Sequence, residues 1–161
     1  MHTSNGSSVA CLAVSPDQEI RFWMYAPAVT INLAVPVSTA LALMYEHDIR
    51  RLPVVVDTGE LRGIITLGDI RGVDLLKPAG FDPADITNLL RQIKVYEVMT
   101  WYPLAVTPET GLREAALLMR EHKIGGLPVV DPTSNEVVGI VTESDLFEAL
   151  IHQLDRDTAF A

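Results

Sequence analysis

Met44-Tyr45-Glu46-His47-Asp48-Ile49 and Met119-Arg120-Glu121-His122-Lys123-Ile124 agree at four of six positions, at a constant offset of 75. The agreement extends outward. Leu52-Pro53-Val54-Val55 returns as Leu127-Pro128-Val129-Val130, and residues 28–55 match residues 103–130 at 10 of 28 positions without a gap. A turn of unequal length, Asp57-Thr58-Gly59-Glu60 against residues 131–136, moves the offset to 76. Gly63-Ile64-Ile65-Thr66 then meets Gly139-Ile140-Val141-Thr142, and Asp69 meets Asp145. Upstream, Ile20 to Met24 corresponds to Val95 to Met99. Self-similarity at a fixed period marks a duplicated structural unit, and the copies span roughly 20–71 and 95–147.

Period and punctuation order each copy. A short apolar strand follows a proline, Ala28-Val29-Thr30-Ile31 in one copy and Leu104-Ala105-Val106 in the other. Val37, Ala40, Leu41, Met44 and Tyr45, matched by Leu112, Ala115, Ala116 and Met119, recur at helical spacing and predict one buried helix face. Two β-rich runs, Leu52 to Val56 and Leu61 to Thr66, flank a turn whose Asp and Gly suit a hairpin. Gly68-Asp69-Ile70 and Ser144-Asp145-Leu146 open a second helix. Each copy therefore reads β-α-β-β-α, an α/β (α+β) unit small enough to need its twin.

The predicted boundaries are a flexible N-terminal arm at 1–18, repeat one at 19–72, a linker at 73–94, repeat two at 95–152 and a C-terminal tail at 153–161. The linker holds a short helix: Asp82-Pro83 supplies a cap and a proline at the first helical position, leading into Ile86, Leu89, Leu90 and Ile93. Pro53 and Pro128 read as strand starts.

Hydrophobic residues make up 48% of the chain and charged residues 20%, enough apolar surface for a folded body. A net charge of −9 without a basic run argues against nucleic acid as a partner. Cys11 is the single cysteine, which excludes an internal disulfide and gives little support for a nucleophile. No apolar run has the length of a membrane span and no Lys or Arg precedes Arg21, so a cytoplasmic protein without membrane association is expected. Neither catalytic residues nor metal ligands occur at convincing spacing, and the reading is not an enzyme.

Val-x-x-x-Met-Thr, Met-x-x-His-x-Ile-x-x-Leu-Pro-Val-Val and Gly-Ile-Val-Thr-x-x-Asp, in this order in copy two and with Ile20 to Tyr25 and Gly-Ile-Ile-Thr-x-x-Asp at the matching places of copy one, resemble the CBS domain repeat. Two in tandem resemble a Bateman module. The resemblance implies two sheets packed back to back in pseudo-two-fold symmetry, with clefts that hold an adenosyl ligand: AMP, ADP, ATP, S-adenosylmethionine or a dinucleotide, with or without Mg²⁺. It also implies a homodimer and a regulatory role, here a stand-alone module signalling to a separate effector protein. The alternative is a structural dimerisation module with degenerate, empty clefts.

Thr66-x-x-Asp69 and Thr142-x-x-Asp145 end a strand and open a helix. They gather a hydroxyl, a carboxylate able to accept from a ribose diol, and helix N–H groups that favour phosphate. The same pattern is a capping box that needs no ligand. Arg50 and Arg51 stand where nucleotide-binding relatives often carry a basic residue that touches phosphate; Arg51 reads equally as solvated surface, and Arg50 more readily so, since neighbours on an extended chain point to opposite sides. The matching Gly125 and Gly126 carry no charge but admit close backbone approach. The clefts are therefore unequal, and the repeat-one cleft is expected to prefer phosphorylated ligands. The resemblance alone adds Ile31, Ile64, Val106 and Ile140 as walls for an adenine ring. His47 and His122 fit the helix dipole better than a metal, and Lys123 reads as surface.

Overall fold

The structure, a computed structural model, describes residues 18–75 and 82–159. Residues 1–17 of the expected arm, with Cys11, and Lys77-Pro78-Ala79-Gly80 of the linker lie outside them. The first copy contains β1 (Ile31–Asn32), α1 (Val37–Glu46), β2 (Arg51–Val55), β3 (Leu61–Thr66) and α2 (Leu67–Leu75). After the linker helix α3 (Pro83–Gln92) come α4 (Val95–Val98), β4 (Thr100–Trp101), α5 (Leu112–His122), β5 (Gly126–Val130), β6 (Val137–Thr142) and α6 (Glu143–Ala159). The order is the expected β-α-β-β-α in both copies, except that the first strand of copy two shrinks to one parallel bridge, Val106 to Val129. Helix α6 runs unbroken through residues 153–159, the stretch set apart in sequence as a tail.

Each hairpin is antiparallel, β2 with β3 and β5 with β6, and both carry a register shift at the same place, Val54/Val55 and Val129/Val130. Alternation along β3 buries Leu61, Gly63 and Ile65 and leaves Arg62, Ile64 and Thr66 on the opposite face. Pro53 and Pro128 lie inside β2 and β5, fully buried, rather than at their starts. The strand on the far side of β2 pairs only with Val54 and Val55, so the N–H that Pro53 lacks is not needed there. In copy two it is the Pro128 carbonyl that is used, accepting from Val106 N at 3.0 Å.

The two copies exchange their leading segments. β4, from the start of copy two, completes the first sheet through Gly63 to Trp101 and Ile64 to Thr100. Tyr25, from the start of copy one, bridges Ile140 in the second sheet. Val95 N and Tyr96 N donate to Val35 O and Leu33 O, and Ile20 N and Arg21 N donate to Thr110 O and Pro108 O. Where the hairpins meet, Leu61 N donates to Asn135 O at 3.0 Å and Val137 N to Gly59 O at 3.1 Å, with Gly59 and Asn135 both at positive φ. Each of these contacts has its counterpart in the other direction at the offset of the repeat.

The exchange reaches the cores. The first contains Val37, Ala40, Met44, Leu52, Val54 and Ile65 together with Val95 and Met99 of the other copy. The second contains Val106, Ala115, Met119, Leu127, Val129 and Val141 with Ile20, and Met24 packs against it. Ile20 and Val95 are wholly buried, and burial of such a side chain contributes roughly 1.5–3 kcal/mol. Helix α3, capped by Asp82 through Ala84 N at 3.0 Å, presses Ile86, Leu89 and Leu90 onto the first core. Tyr45, expected in the buried stripe of α1, is 72% exposed, because the buried face narrows to Val37, Ala40 and Met44.

Candidate functional site

Strand exchange creates two clefts, each walled by both copies. The first, about 940 Å³, sets Thr66, Gly68, Asp69 and Arg71 of copy one against Tyr102, Leu104 and the stretch His122 to Gly126 of copy two. The second, about 500 Å³, sets Thr142, Ser144 and Asp145 against Tyr25, Val29 and the stretch Asp48 to Arg51. Each Thr-x-x-Asp element thus faces the segment between helix and strand of the opposite copy.

The Thr-x-x-Asp elements are built alike. Asp69 Oδ2 accepts from Thr66 N and from Thr66 Oγ1, both at 2.7 Å, and Asp69 N donates to Thr66 Oγ1 at 3.2 Å. Asp145 Oδ2 accepts from Thr142 N at 2.6 Å and Thr142 Oγ1 at 2.8 Å. The capping reading is realised, but it occupies one oxygen only. Oδ1 of each Asp takes no hydrogen bond among the described residues, which leaves two lone pairs for an external donor. Gly68 and Ser144 lie in the first turns of α2 and α6, where amides have no intrahelical acceptor.

Arg51 and Thr66 are register partners across β2 and β3, and Arg50 and Arg51 line both clefts. Arg51 is half-buried while Arg50 is exposed. Burial holds the Arg51 guanidinium below its usual range, with Glu143 opposing that shift and Arg50 adding to it. It stays protonated near neutral pH. Ile64 and Gly126 line the first cleft and Ile140 the second, whereas Ile31 and Val106 sit in the two cores and line neither. The apolar wall comes instead from Leu104 in the first cleft and Val29 in the second, each two residues earlier on the same chain run.

Several cleft residues were not singled out in sequence. Arg71 sits one helical turn after Leu67, and Lys123, read as surface, is an exposed C-cap in the left-handed region at the cleft rim beside His122. Tyr102 and Tyr25 stand 77% and 59% exposed at the two mouths, offering a ring face to a planar base. Their place could have been inferred only from the exchange of β4 and Tyr25 between sheets. The first cleft gathers Arg50, Arg51, Arg71 and Lys123 against Asp69. The second sets Arg50 and Arg51 against Asp48, Glu143 and Asp145. Among the described residues no group of three or more His, Cys, Asp or Glu is placed to hold a metal ion, and no helix is long and apolar enough to cross a membrane.

The CBS domain family profile matches residues 18–75 and 95–152. A CBS domain-containing protein of Dictyostelium discoideum is 40% identical over 129 residues, 78% of this chain and 86% of that protein. A homoserine O-acetyltransferase of Methanocorpusculum labreanum is 38% identical over 107 residues, 66% of this chain but only 19% of the enzyme. Other curated relatives are likewise longer, one from Methanocaldococcus jannaschii being matched over 32% of its length. Among solved structures, the protein CBSX2 in complex with AMP superposes with a TM-score of 0.70 at 27% identity, over 83% of this chain and 97% of that one. A CBS domain pair in complex with 5′-methylthioadenosine and S-adenosyl-L-methionine superposes with a TM-score of 0.69 at 26% identity, over 84% and 97%.

Proposed function

This chain belongs to the CBS domain family as a tandem pair of its repeats, and on that premise we propose that it is a regulatory module whose first cleft binds an adenosine phosphate. The observation that carries this reading is the concentration of Arg50, Arg51, Arg71 and Lys123 around one free carboxylate oxygen and a helix N-terminus, in a chain of net charge −9. Guanidinium groups bind phosphate oxygens in pairs, the first turn of α2 adds unsatisfied amides, and Asp69 Oδ1 can accept from a ribose hydroxyl. Leu104 and Ile64 offer apolar contact to the base, and the Tyr102 ring lies at the mouth. AMP in one structural relative, and 5′-methylthioadenosine with S-adenosylmethionine in another, support the ligand class. The module then passes its state to an effector protein without itself performing chemistry.

A homodimer belongs to the same reading. Phe147, Leu150, Ile151 and Leu154 form an i, i+3, i+4, i+7 stripe on α6, each more than half exposed. A two-fold axis would set this stripe against its own copy, as a self-complementary interface requires.

A thermal-shift panel of AMP, ADP, ATP and S-adenosylmethionine, with and without Mg²⁺, tests the ligand reading. A ligand at about 100 times its Kd adds about 2.7 kcal/mol, which raises the midpoint of a domain of this size by about 5–10 °C. An adenosine phosphate is expected to do so on the wild type and to fail on Asp69→Ala, each compared with its own ligand-free midpoint. If no adenosyl compound moves the midpoint, a structural interaction module is the better account.

A further inference from the structure

Arg51 stands where the two clefts meet and belongs to the wall of both. Its side chain occupies the space that the side-chain-free pair Gly125-Gly126 leaves open. A Cβ on Gly126 would lie 2.5 Å from Arg51 Nη1, and one on Gly125 would lie 2.9 Å from Nη2 and 3.0 Å from Glu143 Oε2. The guanidinium nevertheless takes no hydrogen bond or ion pair among the described residues. It is a half-buried cation packed over two glycines, with the acid Glu143 of the second cleft close by and the first cleft on its other side.

The glycines also remove any replacement. Copy two has no basic residue at the positions of Arg50 and Arg51, so both clefts draw on the same two arginines, supplied by copy one. Apart from them the charged walls of the second cleft are Asp48, Glu143 and Asp145.

We propose that Arg51 is a cation shared between the clefts, so that a phosphate bound in the first cleft draws it away and leaves the second as a site for a positively charged adenosyl ligand. The proposal rests on the adenosyl reading above and adds a sign to it. Two phosphate-bearing ligands compete for the same guanidinium and bind with negative coupling. A phosphate in the first cleft and a sulfonium compound such as S-adenosylmethionine in the second assist one another. Withdrawing one unit charge from about 5 Å to about 8 Å of the second ligand, at an effective dielectric of about 20, changes its affinity about five- to tenfold.

Calorimetric titration of the full chain tests this with ADP and S-adenosylmethionine as probes. The expected result is one tight ADP site per chain, and an S-adenosylmethionine Kd that falls about five- to tenfold when ADP is saturating. By linkage, ADP affinity must rise by the same factor when the order is reversed. In Arg51→Ala, with ADP raised until it saturates the weakened site, the factor should shrink to below about twofold. Gly125→Ala provides a second variant, since the three atoms nearest its methyl are all at the ends of the Arg51 and Glu143 side chains. It should push the guanidinium off its seat, tighten S-adenosylmethionine in the absence of ADP, and reduce the effect of adding it. Two ADP sites of equal affinity, or an S-adenosylmethionine affinity that ADP leaves unchanged or lowers, would overturn the shared-cation proposal while leaving the adenosyl reading intact. Absence of ADP binding altogether would remove that reading and this proposal with it.

Discussion

Gly63→Ala is the sharpest structural test of the exchange between copies. At Gly63 an added Cβ would run into Met99 Sδ and stand 3.0 Å from both Met99 Cε and the Thr100 carbonyl, all contributed by the other copy. Gly139 repeats the arrangement, with Met24 Sδ at 2.8 Å and Tyr25 O at 3.1 Å. The glycine is needed because the crossing segment lies flat on the strand. Overpacking of this kind costs about 1–3 kcal/mol, and the lower unfolded-state entropy of alanine offsets about 0.4–1 kcal/mol of it. The net loss is about 1–2 kcal/mol, or about 2–8 °C in Tm for a chain of this length. Urea unfolding followed by circular dichroism gives the value directly. Met99 is 7% exposed, so Met99→Ala alone should cost about 2–5 kcal/mol. In the Gly63→Ala background it vacates the space the new methyl needs, and the double variant should fall short of additivity by about 1 kcal/mol. A Gly63→Ala protein as stable as the wild type, or strict additivity with Met99→Ala, would refute the crossing geometry.

Three further outcomes are expected. Arg71→Ala should weaken ADP about 10- to 100-fold, as loss of a hydrogen bond to a charged group does, while leaving the ligand-free Tm within about 2 °C, because Arg71 is exposed; isothermal titration and a melt decide it together. Phe147→Glu and Ile151→Glu should each convert a dimer to a monomer in light scattering without a lower Tm at matched monomer concentration, and a wild-type monomer would remove the α6 interface. Asp131 Oδ1 accepts from Thr133 N at 2.8 Å and Ser134 N at 2.9 Å, and these backbone bonds hold its carboxyl below the usual range. A depressed folded pKa stabilises above the unfolded value of about 3.9 and loses that contribution as pH falls through the folded one. The deficit of Asp131→Asn should therefore be present at pH 7 and shrink as the pH falls through the depressed folded pKa, and a deficit that stays equal into strong acid would contradict the assignment.

The duplication was legible because copying preserves residue identity: Leu-Pro-Val-Val and Gly-Ile-(Ile/Val)-Thr locate both hairpins, and their strands lie within a residue of the expected positions. The exchange was not legible. β4 is two residues long and Tyr25 makes a single bridge, too short for any period to register. What joins them to a sheet is proximity to the other copy, a long-range property. The same limit governs the clefts. The strand-end pairing of Arg51 with Thr66 is local and can be inferred from a hairpin, but His122, Lys123 and Tyr102 reach Asp69 only through the two-fold relation. Ile31 and Val106 lie in the cores while Val29 and Leu104, two residues earlier in each run, line the clefts; a period of two gives both members of each pair the same side and cannot tell them apart.

The most direct test of the adenosine-phosphate reading is a crystal structure of the chain grown with ADP. The account predicts density in the first cleft, with phosphate oxygens within hydrogen-bond distance of Arg51 or Arg71, a ribose hydroxyl on Asp69 Oδ1, and the base between Leu104 and Ile64. Density in the second cleft alone, or an empty first cleft at saturating ADP, would contradict it.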